Sequence, residues 1–171
     1  MGGSLRNEWI NWRAKTTSDF LSEVRDVIVK ANPRVILSAN VPSSLEWNKQ
    51  AMGVDWADWV QRGPVDKICP MLYHRDSGMP IRWIRDISSN IFEQVKAWNG
   101  KPSVLPCVGR SISTAGNMQG SEWAESVKEA MRGGVQGVTV FADVCVDRSD
   151  GWENLRNLFG EAWSNLLQRA I

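Results

Sequence analysis

Two carboxylates and the single histidine of this chain stand at the ends of apolar segments that predict buried strands. His74 and Asp76 follow the segment 66–73, and Asp143 closes the segment 137–143. When strands run parallel in a barrel, their carboxyl ends meet on one face, and sites assemble there. Carboxyl and imidazole groups exchange protons under mild conditions, so the residue types predict general acid–base chemistry on this face.

Each of these residues also has a purely structural interpretation. Asp76 or Asp143 can cap a helix or pair with Arg75 or Arg110. His74 can be a loop histidine that partly covers the mouth of a barrel. Both interpretations stay open from the residues alone.

Four apolar segments, followed each time by an amphipathic helix, must position these side chains. The strands are predicted at 34–40, 66–73, 103–109 and 137–143, and the helices at 17–31, 55–61, 81–98, 121–132 and from 150 onward. The strand segments are nearly continuous in apolar residues, which is typical of parallel strands buried on both faces. We therefore predict one α/β domain over 1–171, in which 1–33 form an N-terminal segment and helix and 34–171 form four strand–helix units. Because a (β/α)8 barrel needs eight units, the prediction is half of a TIM barrel.

Pro70 and Pro106 fall inside two of the strand segments, two to three residues before each strand gives way to its loop. Proline cannot donate to a strand ladder, so it is tolerated mainly at edges and bulges. Two interpretations are open here. The prolines either kink the strand so that the next side chains point into a cleft, or they simply end its pairing.

Charge and cysteine content exclude several classes of protein. Lys and Arg number 20 against 19 acids and are scattered, so no basic stripe for nucleic acid is present. No apolar run approaches a membrane span and the start lacks a signal-peptide layout, so we expect a soluble chain without membrane contact. Three cysteines at 69, 107 and 145, without paired spacing, predict neither a zinc site nor a disulfide framework, and no metal or cofactor is expected.

Two short motifs carry a family resemblance. They are Asp55-Trp-x-x-Trp59 and Val65-Asp-x-x-x-Pro-Met-x-Tyr73, supported by Trp12-Arg13, Phe20-Leu21, Val24-Arg25, Asn32-Pro33, Leu37-Ser-Ala39, Gly63, Asp76 and the segment 137–142. Over most of residues 9 to 143 the chain resembles the C-terminal half of the family-10-like glycoside hydrolases, barrels of bacteria. The family's first four strands, one of which usually ends in a catalytic acid in related barrels, have no counterpart here. The resemblance implies a TIM-type barrel that hydrolyses O-glycosidic bonds or binds an oligosaccharide or polysaccharide.

The resemblance also suggests roles for the strand-end residues. Glycoside hydrolysis normally needs two carboxyl groups about 5 to 9.5 Å apart, and we predict Asp76 and Asp143 as that pair, with His74 in proton transfer or hydrogen bonding. Flat aromatic and polar side chains are predicted to bind the sugar: Asn40, Trp47, Tyr73 and Arg110. Most other tryptophans lie among aliphatics at helical spacing and are expected in the core. Two alternatives remain, a non-catalytic self-associating scaffold or binding module and another barrel chemistry, such as phosphate binding by the loop 109–116.

Four strands alone leave two open sheet edges and an uncovered inner face. Exposed edges pair with other chains, and a large apolar patch drives association. Completion or covering by a second copy is the simplest closed arrangement, so we predict a tight homodimer that buries more than about 2,000 Å².

Overall fold

The computed structural model describes residues 4–110, 118–147 and 150–168, and only the backbone of residues 4, 143, 144 and 161–168. Five strand segments form one parallel sheet: β1 Ser38–Pro42, β2 Lys67–Leu72, β3 Ser103–Val104, β4 Cys107–Gly109 and β5 Thr139–Phe141. Their order in the sheet is β1, β2, β4, β5, with β3 also paired to β2, so spatial order follows chain order. Sequential parallel strands that alternate with helices confirm the predicted partial TIM barrel.

Helices connect the strands and cover one face of the sheet. They are α1 Ser4–Ala31, α2 Leu45–Trp47 with a π-helical turn at Asn48–Met52, α3 Trp56–Arg62, α4 Trp83–Ala97, α5 Gly120–Arg132, α6 Asp143–Asp147 and α7 Gly151–Gln168, which breaks at Gly160. The segment 42–53, between β1 and α3, is therefore partly helical. No helix among the described residues is both long enough and apolar enough to cross a membrane.

The first strand begins later than its apolar residues suggest. Val35 N–H donates to Asn32 O (3.1 Å) in a turn, and Leu37 N–H donates to the Asp66 carboxylate (2.8 Å) rather than to a strand. The same carboxylate accepts two bonds from the Arg25 guanidinium, at 2.5 and 2.9 Å. This junction joins α1 to the start of β1 and β2, so the predicted strand 34–40 is corrected to 38–42.

The first helix begins thirteen residues before the predicted start at Thr17. Ser18, near the predicted start, lies buried in mid-helix and accepts a hydrogen bond from Trp59 Nε1–H (2.9 Å). The predicted end is confirmed, since α1 stops at Ala31 immediately before Asn32-Pro33.

The two strand prolines behave differently. Pro106 separates β3 from β4, while its carbonyl still accepts a bond from Thr139 N–H (2.9 Å). Pro70 lies within β2, opposite Val41, and pairing continues past it. Pairing with β2 resumes in the same register at Cys107, opposite Met71, so Pro106 interrupts the ladder and neither proline ends it.

Two apolar clusters lie between the sheet and its helices. One packs Trp56, Trp59 and Val60 against Val41 and Ile68. The other lies under the carboxyl ends of β2 and β4 and includes Leu72, Val108, Trp123 and Val127. Because side chains alternate along a strand, Cys69, Tyr73, Cys107 and Phe141 project from the opposite, concave face.

Candidate functional site

An aromatic pair marks the carboxyl end of the concave face. Tyr73 directly follows β2, and Phe141 ends β5. Their rings are stacked, with centroids 5.9 Å apart and planes 13° from parallel. The Tyr73 hydroxyl lies 3.8 Å from Cys107 Sγ on the strand between them, and burial, with the nearby thiol, raises the pKa of Tyr73. Phe141 stays 38% exposed, so the pair offers an apolar surface to a ligand.

A charged pair lies beside these rings. Arg110 follows β4, and its Nε lies 3.8 Å from Asp76 Oδ1 in the turn after β2. The two side chains are 11% and 17% exposed. Arg110 N–H donates to Phe141 O (3.1 Å), which fixes the start of the Arg110 side chain next to the aromatic pair. The site therefore combines donors, acceptors and flat apolar surface within three neighbouring strand ends.

His74 and Arg75 turn to the helix side and share one carboxylate. His74 Nε2 lies 2.9 Å from Glu122 Oε1, and Arg75 donates from Nε (2.5 Å) and Nη2 (2.6 Å) to the two Glu122 oxygens. Glu122 also accepts from Gln119 N–H (3.3 Å) in the capping box that starts α5. The turn after β2 carries Asp76. This cluster anchors that turn to the first turn of α5.

The electrostatics of this cluster favour a neutral imidazole beside a charged carboxylate. Burial lowers the pKa of His74, and the bond to Glu122 only partly opposes this effect. Burial alone would raise the pKa of Glu122, but the Arg75 hydrogen bonds and charge lower it overall. With Nε2–H donating to Glu122, Nδ1 is an acceptor, buried without a hydrogen-bond partner among the described residues. His74 therefore holds the turn and presents no accessible nitrogen to the concave face.

Protonation of this single histidine should make the fold less stable in mild acid. Because the pKa of His74 is lowered from 6.5 in the folded state, the unfolded chain binds the proton first. The neutral imidazole therefore contributes its full stabilisation above pH 6.5. As pH falls below that value, the free energy of unfolding decreases by up to about 1.4 kcal/mol per pH unit. Urea unfolding between pH 7.5 and 5.5 measures the slope.

The matched variant is His74→Gln, whose amide still donates to Glu122 but does not titrate. Its free energy of unfolding should be flat over the same range. The lowered carboxyl pKa values of Asp66 and Glu122 start from 3.8 and 4.5, so these groups act only in stronger acid. An equal slope in wild type and variant would contradict the assignment.

The structure brings some of the sequence-predicted site residues together. Tyr73, Asp76 and Arg110 converge, whereas Trp47 lies on α2 with 56% of its surface exposed. Asn40 is exposed on β1, in register with Cys69. The backbone of Asp143 starts α6, but its side chain lies outside the described residues, as does the loop 111–117.

Two residues of the site were missed from the sequence. Phe141 could have been found, because it precedes Asp143 by two positions at the end of a predicted strand. Glu122 had no such signal, because its partners His74 and Arg75 are 48 and 47 residues away. The predicted helix 121–132 begins one residue earlier, at Gly120, and Gln119 caps it.

The described residues contain no group of three or more His, Cys, Asp or Glu placed to hold a metal ion. The family model for "Glycosyl hydrolase-like 10" matches residues 3–123, which include α1, β1 to β4 and the first turn of α5. No curated protein matches the sequence.

Proposed function

Because the chain belongs to the glycosyl hydrolase-like 10 family, which relates it to carbohydrate-active proteins, we propose that it binds a glycan at the carboxyl ends of β2, β4 and β5. The observation that carries the proposal is the stacked Tyr73–Phe141 pair beside the Asp76–Arg110 pair. Sugar rings present apolar C–H faces edged by hydroxyl groups. A flat ring next to charged donors and acceptors complements both properties.

Each residue has a distinct role in this proposal. The exposed face of Phe141 stacks on a sugar ring, with Tyr73 supporting it from behind. Arg110 donates to ring or hydroxyl oxygens, and Asp76 accepts from hydroxyl groups. Asn40 and Trp47 extend the site toward β1 as further subsites.

Hydrolysis is the catalytic form of the same proposal. It assigns Asp76 and Asp143 as the two carboxyl groups, Asp143 by its place in the sequence. Asp76 contacts the Arg110 guanidinium, an arrangement that suits the base or nucleophile of the pair. His74 is given a positioning role here, because Glu122 occupies its Nε2. A binding module without catalysis is the alternative, and turnover separates the two.

The test is binding to a panel of polysaccharides by affinity electrophoresis and calorimetry, with reducing-sugar release as the readout for hydrolysis. Phe141→Ala should weaken binding roughly tenfold through lost stacking. Asp76→Asn should weaken binding and abolish any turnover, without unfolding.

Matched controls exist on the helices. Asp86→Asn removes an exposed carboxylate of α4, and Phe159→Ala removes an α7 ring that is 37% exposed against 38% for Phe141. Both should bind like wild type. The proposal fails when no polysaccharide binds, or when the site variants bind as well as their controls.

We also propose that the chain forms a homodimer. The edge strands β1 and β5 each have one unpaired side among the described strands, and Val35 and Ile36, just before β1, are 43% and 59% exposed. Such edges and apolar residues favour association. The mass measurement that tests this proposal accompanies the next inference.

A further inference from the structure

Helix α1 has two opposite apolar faces. One contains Ile10, Ala14 and Ser18, which are 7%, 3% and 1% exposed and pack toward the rest of the domain. The other carries large side chains that stay in water: Leu5, Trp9, Trp12, Phe20 and Val27, all between 56% and 75% exposed. At 100° per residue the two sets lie on opposite sides of the helix. An outer helix needs only one apolar face, so the second requires its own explanation.

The exposed residues form a regular stripe. With Thr16 and Glu23 included, the positions 5, 9, 12, 16, 20, 23 and 27 follow steps of four, three and four, repeated once. This is an 11-residue repeat of 3.67 residues per turn, close to the 3.6 of a straight helix. The stripe therefore runs almost parallel to the helix axis, over about 33 Å at 1.5 Å per residue.

The step pattern reads the same in both directions, with Thr16 at its centre. Two antiparallel copies of α1 centred on Thr16 place every stripe residue opposite another stripe residue. Leu5 then faces Val27 of the second copy, and Trp12 faces Phe20. Thr16 faces itself, which puts a small side chain where the helices come closest.

We propose that this stripe, here called the α1 stripe, is the surface through which two copies of the chain pair, antiparallel and with the two-fold axis at Thr16. The inference rests on the proposed homodimer and places its interface on α1 rather than at the sheet edges. Lys15 and Asp19 form an ion pair within α1 on one flank of the stripe, and Asp19 also lies 3.6 Å from Arg62. The two-fold axis brings Lys15 of each copy near Asp19 of the other as well. Opposite charges thus meet near the centre of the interface.

The two exposed tryptophans of the α1 stripe stack on each other. Trp9 and Trp12 stack with centroids 5.1 Å apart, and the Arg13 guanidinium lies 5.7 Å from the Trp9 ring. The paired rings form one broad ridge that suits a groove on a second helix.

Cysteine cross-linking reads out the register directly. Thr16→Cys should form a disulfide-linked dimer under mild oxidation, because the two residues meet at the axis. Lys30→Cys should not, because antiparallel pairing separates its two copies by about 42 Å along the axis at 1.5 Å per residue. The unmodified chain is the control for cross-links through the native cysteines. A parallel pair of helices would cross-link at both positions.

Light scattering of the full chain tests whether the α1 stripe holds the dimer. Wild type should show twice the 19.2 kDa chain mass. Phe20→Glu should raise the dissociation constant about a hundredfold, since two symmetric contacts are lost, with an unchanged circular dichroism spectrum. Glu8→Lys should lower the dissociation constant, because Glu8 of one copy approaches Asp26 of the other and the change turns this repulsion into an attraction.

The outcomes separate the two proposals. A wild-type monomer at about 100 μM, where even weak dimers form, overturns both self-association and the α1 stripe. A dimer that survives Phe20→Glu and lacks the Thr16→Cys link overturns the α1 stripe alone and leaves the sheet edges as the interface. Glycan binding is measured independently of either result.

Discussion

Gly109→Ala is expected to lower the free energy of unfolding by about 3 kcal/mol or more and to abolish ligand binding at the strand ends. A Cβ atom at residue 109 would lie 1.8 Å from Phe141 O and 2.8 Å from its carbonyl carbon. Both atoms belong to backbone, so β4 and β5 must separate to admit the methyl group. Their separation breaks the Arg110 N–H to Phe141 O bond and moves Phe141 away from Tyr73.

The control is Gly63→Ala, at the C-terminus of α3. Gly63 has a positive φ of 78°, but nothing lies within 4 Å of an added Cβ. This change isolates the backbone strain, which costs about 1 to 2 kcal/mol in the left-handed region. Urea unfolding of both variants measures the difference. Equal stability losses would show that β4 and β5 accommodate the methyl group, against the prediction.

The sheet was predictable because its strands are buried. Continuous apolar runs identify parallel strands, and helical segments between them fix both the parallel direction and the sequential order. The start of β1 was not predictable, because Leu37 N–H bonds to the Asp66 carboxylate, a side chain on a distant segment. The break at Pro106 and the continuity at Pro70 also depend on neighbouring strands rather than on the prolines themselves.

The candidate site was partly predictable for the same reason. Tyr73, Asp76 and Arg110 follow strand segments, so their meeting on one face follows from the fold. The environment of His74 was not predictable, because its partner Glu122 belongs to the first turn of α5 and reaches it only through tertiary packing. Sequence position places a residue at the strand ends, but the packing of the helices decides which side of the sheet it faces.

The tryptophans show the limit of helical spacing as a guide to burial. Trp56, Trp59 and Trp123 are buried, as their aliphatic surroundings predict, while Trp83 and Trp98 are half-buried and the side chain of Trp163 lies outside the described residues. Trp9 and Trp12 also lie on a helix, yet both are exposed. Spacing identifies an apolar face, and the second apolar face of α1 has no described element against it.

Trp123→Ala should remove the largest single contribution to the second apolar cluster. The side chain is fully buried and packs in a cluster with Leu72 and Val108, the residues just before Tyr73 and Gly109. Truncation of a buried tryptophan leaves a cavity and typically costs about 3 to 5 kcal/mol. We expect that loss in urea unfolding at pH 7.5, together with weaker glycan binding, because both strand ends lose their support from below.

Trp47→Ala is the matched control, since Trp47 is 56% exposed on α2. Its free energy of unfolding should change by no more than about 0.5 kcal/mol, as for most surface changes. Because Trp47 is proposed as a sugar subsite, its replacement should lower glycan affinity while stability stays constant, so the two variants differ in stability. A small stability loss for Trp123→Ala, similar to that of Trp47→Ala, would mean that α5 does not depend on this cluster for its position under the strand ends.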